Sequence, residues 1–253
     1  MNILISNDDG YMAVGIRKLA KRLCREHNVV VIAPTGERSG SSHAVNFFSG
    51  IRYADMGEID GIRTFSVDGT PADCVLFGVK YLYKDTKFDL VLSGINTCMN
   101  AGSDIIYSGT FGAAQEGTFN GIAGIAVSVR AKGSEEYEFT ADFIARNLEI
   151  LKSFAKENVT INVNVPSVHK FDIKGVKIAP VAFQQYNEQY IKTLTDDGKE
   201  VFFVDGHPQK QKDEQSGGDC YQLEQGYITI TPVQLLCTDI PTLEEMRKVE
   251  FEL

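Results

Sequence analysis

The first part of the chain alternates short apolar runs with segments whose apolar residues recur every three or four positions. The run Ile3–Ile5 ends at Asp8–Gly10, and the run Val29–Ala33 ends at Pro34. Between them, residues 14–23 carry apolar side chains at helical spacing with basic residues on the other side. Strand, helix and strand within about 30 residues predict a βαβ unit with a right-handed crossover.

The same alternation continues as far as residue 165. A helix is predicted from Pro71, with Thr70 as its N-cap, because proline is favoured at the first helical position. Two further helices are predicted at Ser108–Asn120 and Phe139–Phe154, and buried strands at Phe88–Gly94, Ile122–Val129 and Val159–Val165. This order indicates an α/β fold with a doubly wound, mostly parallel sheet.

The pattern changes near Lys174. Alternating segments from Val176 to Val204 flank the turn-like Asp196–Lys199, which predicts a β-hairpin arm. The polar stretch Pro208–Gly218 is predicted to be a mobile loop, Tyr227–Pro232 a further strand, and the C-terminal end a helix. We therefore expect one domain, 1–253, built from a core at 1–170, an arm and loop at 174–225, and a final strand and helix at 226–253.

Composition narrows the class of protein. A hydrophobic share of 43% supports a folded core, and a net charge of −9 argues against coating a nucleic-acid duplex or a membrane surface. The five cysteines are widely spaced without a Cys-x-x-Cys pair, which is typical of reduced thiols in a cytoplasmic protein. From the sequence we expect no signal peptide and no membrane span. If the substrate is an anion, a metal ion or helix N-termini must supply positive charge.

Four polar segments follow predicted strands and are expected at one edge of the sheet. They are Asp8–Asp9, the loop 37–43, the segment 93–104 and the turn 107–110 before a helix. Ligands bind at the carboxyl ends of parallel strands. The two carboxylates and the amide of Asn96 are hard oxygen ligands that suit Mg²⁺ or Mn²⁺. Hydroxyls and N–H groups at a helix N-terminus suit an anion.

Each segment also has a plain structural interpretation. Asp8 fits a helix or turn cap and Asp9 a solvated charge, so this segment alone supports both accounts equally. The loop 37–43 fits an ordinary polar loop, Asn96 a turn asparagine and Ser108 a simple N-cap. The meeting of all four segments at one edge is what favours a chemical site.

Seven stretches of the chain resemble the SurE family, the stationary-phase survival proteins that act as metal-dependent nucleotidases. The resemblance covers nearly the whole chain, at Ile3–Gly10, Glu37–Ser41, Gly69–Val75, Ser93–Asn96, Tyr107–Thr110, Ile161–Pro166 and Gly226–Pro232. It implies a Rossmann-like core and one divalent cation per subunit, Mg²⁺ or Mn²⁺. It also implies phosphomonoesterase activity on nucleoside 5′-monophosphates, with 3′-monophosphates as further candidate substrates.

The resemblance also implies site residues. It places the metal ligands at Asp8, Asp9, Ser39 and Asn96 and the substrate phosphate near Asn100, Ser108, Gly109 and Thr110. Further substrate-side candidates are Ser39, Ser41, His43 and Tyr107, the last as a stacking surface for a base. We expect Asp8, Asp9, Asn96 and Ser108 to be catalytic. Cys98 stands where the family usually has a glycine, so strain or a different loop path is expected there.

Paired acids are compatible with two phosphatase mechanisms. Contiguous acids followed by Gly10 do not match the usual Asp-x-Asp pattern of an aspartyl-phosphate enzyme, so metal-activated water is favoured. His43 is a candidate acid for the leaving group, and a surface or turn histidine is an equal alternative. The rival class is a non-enzymatic nucleotide-binding module, which does not need Asp8 beside Asp9.

The expected partners are a nucleoside monophosphate and a second copy of the chain. The arm after Val176 and the C-terminal segment cannot bury much apolar area on the core alone. Such extensions commonly exchange between protomers, and the SurE family does this. We therefore expect a homodimer or homotetramer with exchanged C-terminal elements.

Overall fold

The computed structural model describes residues 1–209, 217–234 and 237–249. The strands in these ranges are β1 Asn2–Ser6, β2 Asn28–Pro34, β3 Tyr53–Ile59, β4 Ile62–Val67, β5 Leu90–Asn96, β6 Ala123–Val129, β7 Val159–Val165, β8 Val176–Ile178, β9 Tyr186–Leu194, β10 Glu200–Pro208 and β11 Ile228–Gln234. The α-helices are α1 Val14–Leu23, α2 Pro71–Phe77, α3 Gly109–Phe119, α4 Ser134–Phe154, α5 Asp219–Glu224 and α6 Ile240–Met246. A π-helical turn, Gly78–Leu82, continues α2, and 3₁₀ helices lie at Gly102–Ile106 and Lys170–Asp172.

Nine strands form one sheet in the order β3-β4-β2-β1-β5-β6-β7-β11-β8. All neighbours are parallel except β3 with β4 and β11 with β7. The chain proceeds from β1 toward β2 on one side and returns to β5 on the other, so the strand order reverses between β1 and β5. The prediction of a doubly wound, mostly parallel α/β sheet is confirmed, and the reversal marks the crevice where such sheets bind ligands.

The central strands are apolar throughout because both faces of the sheet are covered. Ile3 and Ile5 of β1 pack in a core with residues of α1 and α4, whereas Leu4 packs in a second core with Val75 of α2 and Ala113 of α3. Full burial of one such aliphatic side chain contributes about 1.5–3 kcal/mol. These two cores hold the carboxyl ends of β1 and β5 in fixed positions.

Gly94 brings β5 close to β6 two residues before the end of β5 at Asn96. Its φ is +134°, and a Cβ there would lie 2.3 Å from the carbonyl oxygen of Val127. The β5–β6 pairing also shifts register between Ser93 and Asn96. The glycine thus permits the close approach that carries the chain from β5 into the loop after Asn96.

The hairpin arm is present but begins later than the sequence pattern indicates. β9 and β10 pair antiparallel from Tyr186 opposite Pro208 to Leu194 opposite Glu200, and form a sheet of their own. Val176–Ile178, included in the predicted arm, instead pairs with β11 in the main sheet. Residues 210–216 of the predicted loop Pro208–Gly218 lie outside the described residues. The division into a core at 1–170 and an arm and loop at 174–225 stays a prediction.

Candidate metal and phosphate site

A cleft of about 570 Å³ opens at the carboxyl ends of β1, β2 and β5. It is lined by residues from four loops, namely 8–9, 37–40, 96–100 and 104–108. The structure therefore brings together, in one cleft, parts of all four polar segments that the sequence singled out. The topology of the sheet explains why these loops meet. Each of the first three loops follows one of the neighbouring parallel strands β1, β2 and β5, so the loops leave the sheet at the same edge.

Asp8 lies at the buried end of this cleft, with 3% of its surface exposed. The hydroxyl of Thr110 donates a hydrogen bond to its Oδ1 atom. Burial raises the pKa of the Asp8 carboxyl, and the Thr110 hydroxyl together with nearby backbone N–H groups, including that of Gly109, opposes this rise. The start of α3 thus stabilises a carboxylate at the position where it could bind a cation.

Asp9 is the second carboxylate of the pair. Burial, followed by the neighbouring charge of Asp8, raises the pKa of Asp9 to about 6. Its Oδ2 accepts a hydrogen bond of 3.4 Å from the hydroxyl of Thr97, which in turn accepts one of 3.1 Å from Tyr137 on α4. Sequence reasoning missed Thr97 and Tyr137, because no local pattern places α4 behind the first strand.

Asn96 ends β5 and is buried. Its Nδ2 donates to the carbonyl of Cys98 at 2.7 Å, which orients the side-chain amide and leaves Oδ1 as the atom suited to a cation. Cys98 is exposed at the cleft and is not among the residues with positive φ. The cysteine is therefore accommodated without the backbone strain that replacement of a glycine could have caused.

Only part of the loop 37–43 lines the cleft. The exposed Ser39 donates its hydroxyl to Glu37 at 2.9 Å, and both residues line the cleft. The Oγ atom of Ser41 is buried and has no partner among the described residues. It lies next to α3, since a Cβ on Gly109 would be 2.5 Å from it. The guanidinium of Arg38 pairs with Asp68 at 2.9 Å, away from the cleft lining.

His43 lies against α3 and is not among the cleft-lining residues. Nδ1 is 2.8 Å from Oε1 of Gln115, and Nε2 is 2.7 Å from Oε2 of Glu116. The ring also contacts Phe119, with the ring centroids 5.4 Å apart. The structure therefore does not bring His43 together with the other candidate residues.

The turn before α3 supplies the other substrate-side candidates. Oγ of Ser108 accepts the N–H of Phe111 at 2.9 Å, so Ser108 is an N-cap, and it also lines the cleft. The hydroxyl of Thr110 is committed to Asp8. Tyr107 is 65% exposed at the mouth of the cleft, where its ring is accessible.

Asn100 is held in a buried asparagine network. Its Nδ2 donates to Ser128 Oγ at 3.0 Å, and its backbone N–H donates to Asn164 Oδ1 at 2.8 Å. The Asn100 carbonyl accepts from Asn162 and Asn164, two positions apart on one face of β7. This network fixes the loop after β5 to the neighbouring strands. The alternation of asparagines within β7 was the available sequence signal.

The cleft carries negative charge that its own lining does not balance. Four carboxylates line it, those of Asp8, Asp9, Glu37 and Asp104, and no lysine or arginine occurs among the described lining residues. Across the described chain, no group of three or more His, Cys, Asp and Glu side chains is arranged to hold a metal. A cation here would therefore take two adjacent carboxylates and neutral oxygens as ligands. The adjacent carboxylates of Asp8 and Asp9, whose pKa values are raised by burial, fit a hard divalent cation together with the oxygens of Ser39 and Asn96 in the same cleft.

Comparisons with known proteins show which family the chain resembles over its length. The family model "Survival protein SurE" matches residues 3–188. The chain is 40% identical over 256 residues to "5′-nucleotidase SurE" of Clostridium botulinum (strain Alaska E43 / Type E3), covering 98% of this chain and 99% of the relative. It is 39% identical over 255 residues, with the same coverage, to the protein of that name from Clostridium beijerinckii.

A solved structure is similar along the whole length. The crystal structure of the SurE protein from Aquifex aeolicus superposes with a TM-score of 0.82 at 32% sequence identity. The match covers 98% of this chain and 99% of that one. Together with the family model, which extends over more than half of the sequence, this similarity identifies the chain as a member of the SurE family of survival proteins.

Proposed function

We propose that this protein is a divalent-metal-dependent 5′-nucleotidase that hydrolyses nucleoside monophosphates to nucleoside and phosphate. The observation that carries the proposal is the adjacent pair Asp8 and Asp9, which line one cleft after β1, and burial is the main cause that raises the pKa of each carboxyl. The name 5′-nucleotidase SurE, borne by relatives along the whole length, supports the same activity. A module that only bound nucleotides would have no need for two adjacent acids at that position.

We assign the cation to Asp8, Asp9, Ser39 and Asn96. Mg²⁺ and Mn²⁺ both suit this oxygen set. When bound, such an ion supplies positive charge to a phosphoryl oxygen and lowers the pKa of water. Ser39 lines the same cleft as the other three residues, and its exposed hydroxyl donates to Glu37.

Residues at the start of α3 orient the metal ligand Asp8 and contact the phosphate of the nucleotide. Thr110 fixes the orientation of the Asp8 carboxylate through its hydroxyl. Ser108 lines the cleft and keeps a hydroxyl hydrogen that it donates to the phosphate, while the N-terminus of α3 adds a positive potential. Ser41 stays a predicted phosphate contact, although its hydroxyl is buried and Ser41 is not among the residues that line the cleft. Because His43 is bound to Gln115 and Glu116, we do not assign it the leaving-group proton.

The mouth of the cleft is open and offers one accessible aromatic ring, that of Tyr107. We propose that this ring stacks on the base without reading its edges, so bases are poorly distinguished and 3′-monophosphates are also accepted. The free state of all five cysteines supports a cytoplasmic location. In the described part of the chain, no helix has the length and apolarity needed to cross a membrane.

The deciding experiment compares the wild type with Asp8→Asn in phosphate release from AMP. The wild type should require Mn²⁺ or Mg²⁺ and lose activity in EDTA. Asp8→Asn keeps the size of the side chain but removes a ligand charge, and should lower kcat/KM by roughly 100-fold or more. Asp142→Asn, a surface substitution on α4, is the matched control. Release that survives chelation would refute the metal mechanism, and a wild type without release under any metal would favour a binding module.

A further inference from the structure

The base of the arm is bonded to the cleft through the 3₁₀ helix Gly102–Ile106, here termed the wall helix. Three of its consecutive residues take part. The N–H of Gly102 donates to Asp219 at 3.0 Å, Oγ of Ser103 accepts the N–H of Gln184 at 2.9 Å, and Asp104 accepts the hydroxyl of Tyr186 at 2.5 Å. Tyr186 is the first residue of β9, so the arm and the cleft meet at this bond.

Asp219 makes this junction rigid. It is fully buried, and its carboxylate accepts N–H groups of Gly102, Ala182 and Cys220 at 2.9–3.0 Å. These three residues come from the wall helix, the segment that leads to the arm, and α5. The packing is close, since a Cβ on Gly102 would lie 2.7 Å from Sγ of Cys220. The wall helix therefore cannot move independently of the base of the arm.

Asp104 is the residue of the wall helix that lines the cleft beside Tyr107 and Ser108. Its Oδ2 atom is occupied by Tyr186. Burial raises the pKa of Asp104, and the Tyr186 hydroxyl opposes this rise. Asp104 is half-buried, so a carboxylate that lost its tyrosine partner could turn into a cleft that must accept a phosphate dianion. Repulsion between the two would weaken nucleotide binding.

We propose that Tyr186 is a positioning residue for nucleotide binding, which acts by holding the Asp104 carboxylate against the base of the arm. The inference rests on the proposed nucleotidase function and extends it. The wall helix lies on the substrate side of the cleft, while Asp8 and Asp9 lie on the loop after β1. Tyr186 consequently affects the affinity for the nucleotide and leaves the affinity for the metal unchanged.

The first test uses Tyr186→Phe, which removes only the hydroxyl. At saturating Mn²⁺, KM for AMP should rise roughly three- to ten-fold, as expected for repulsion between two like charges a few ångströms apart in a solvated cleft. kcat and the Mn²⁺ affinity measured by calorimetry should stay at wild-type values. Tyr190→Phe is the matched control, because Tyr190 lies on the same strand with its ring exposed. Unchanged KM, or an equal loss of metal affinity, would overturn the proposal.

A second test separates positioning from general loosening of the arm. If Tyr186 acts through Asp104, then Tyr186→Phe should have no further effect on KM in an Asp104→Ala background. Asp104→Asn retains an oxygen that can accept the tyrosine hydroxyl but carries no charge to repel the phosphate, so Tyr186→Phe should have little further effect on KM in that background as well. Fully additive effects in the Asp104→Ala background would refute the proposed route.

A measurement of AMP binding, independent of turnover, separates the role of Tyr186 from the proposed nucleotidase activity. AMP affinity is measured by calorimetry in Mn²⁺ for the wild type and Tyr186→Phe. Weaker binding by the variant, found in a protein that releases no phosphate, would sustain the positioning role while the nucleotidase proposal fails. Equal binding by both proteins, with normal wild-type turnover, would overturn the positioning role alone.

Discussion

At the scale of single residues, the buried carboxylate of Asp8 is held by the Thr110 hydroxyl together with backbone N–H groups at the start of α3. The Thr110 side chain donates to Oδ1 of Asp8, and both residues are buried. A ligand carboxylate needs such a partner because an unanchored side chain loses the orientation that a metal requires. Thr110 therefore serves Asp8, although its place in the Tyr107–Thr110 motif led to its prediction as a phosphate contact.

Removal of this hydroxyl gives a direct prediction. Thr110→Val keeps the β-branched shape and should reduce Mn²⁺ affinity or kcat/KM by about 10- to 100-fold, the usual cost of losing a residue that orients a metal ligand. Thr118→Val is the control, because Thr118 is a buried threonine of the same helix that bonds Thr160. Calorimetry with Mn²⁺ and AMP turnover are the measurements. Wild-type values for Thr110→Val would show that Asp8 is held in place without it.

At the scale of elements, the sequence predicted those parts of the fold that repeat a simple period. The strands β1, β2, β5, β6 and β7 are buried apolar runs, and Thr70 with Pro71 marks the start of α2 through a capping box that the structure contains. Their parallel order followed from the alternation alone, and so did the convergence of the loops after β1, β2 and β5.

Elements with mixed patterns were harder to predict. The hairpin of β3 and β4 was not predicted, although Asp60–Gly61 is a turn signal, because β3 is largely exposed and lacks alternation. The strand Val176–Ile178 is three residues long, and its membership in the main sheet depends on β11, some fifty residues later. Pairing at that distance leaves no local signal in a short segment.

The candidate site shows the same division between local and distant signals. The meeting of Asp8, Asp9 and Asn96 in one cleft could be predicted because each stands at or just after the end of a strand, whereas their roles stay predictions. His43 was misleading because its neighbours in the loop line the cleft while its own ring turns to Gln115 and Glu116. A side-chain direction of this kind is set by tertiary contacts, which one sequence does not contain.

The junction between α5 and the wall helix predicts a pH effect on stability. Burial, followed by the charges of Asp219 and Asp104, raises the pKa of the Cys220 thiol from 9.0 to about 12. Above pH 9 the thiol loses its proton in the unfolded chain but keeps it in the folded protein. The contribution of Cys220 to the free energy of unfolding is therefore fully present below pH 9 and is lost as the pH rises toward 12. Chemical denaturation of the wild type and Cys220→Ala between pH 8 and 10 should show a steeper decline for the wild type. Cys24→Ala, at an exposed cysteine, should decline like the wild type, and parallel curves for all three would contradict the prediction.

At the scale of the whole molecule, the net negative charge affects the binding of both the metal and the nucleotide. The chain carries 34 acidic and 25 basic residues, and the cleft concentrates four of its carboxylates. A field of this sign attracts cations and opposes a free phosphate, so the metal must bind before or with the nucleotide for binding to be favourable. The affinity for the nucleotide is therefore expected to rise with the metal concentration until the metal site is saturated.

The arm gives the molecule an apolar surface that its own core does not cover. Both faces of the hairpin carry exposed apolar side chains, Ile191 opposite Phe203 on one face and Tyr190 opposite Val204 on the other. An isolated hairpin is marginally stable in water, and apolar groups on both faces indicate burial within another surface. We propose that this surface belongs to a second copy of the chain, in a homodimer or homotetramer with exchanged C-terminal elements.

Light scattering of the double variant Ile191→Ser, Phe203→Ser tests this assembly. The wild type should have at least twice the chain mass of 27.9 kDa at micromolar concentration, and the variant should shift to the single-chain mass because one apolar face of the arm is lost. The double variant Lys192→Ser, Glu200→Ser is the control, since it removes an exposed ion pair from the same two strands at little cost. A wild type of single-chain mass would contradict the assembly. An assembled double variant would instead place the contact on the face that carries Tyr190 and Val204, or on α6.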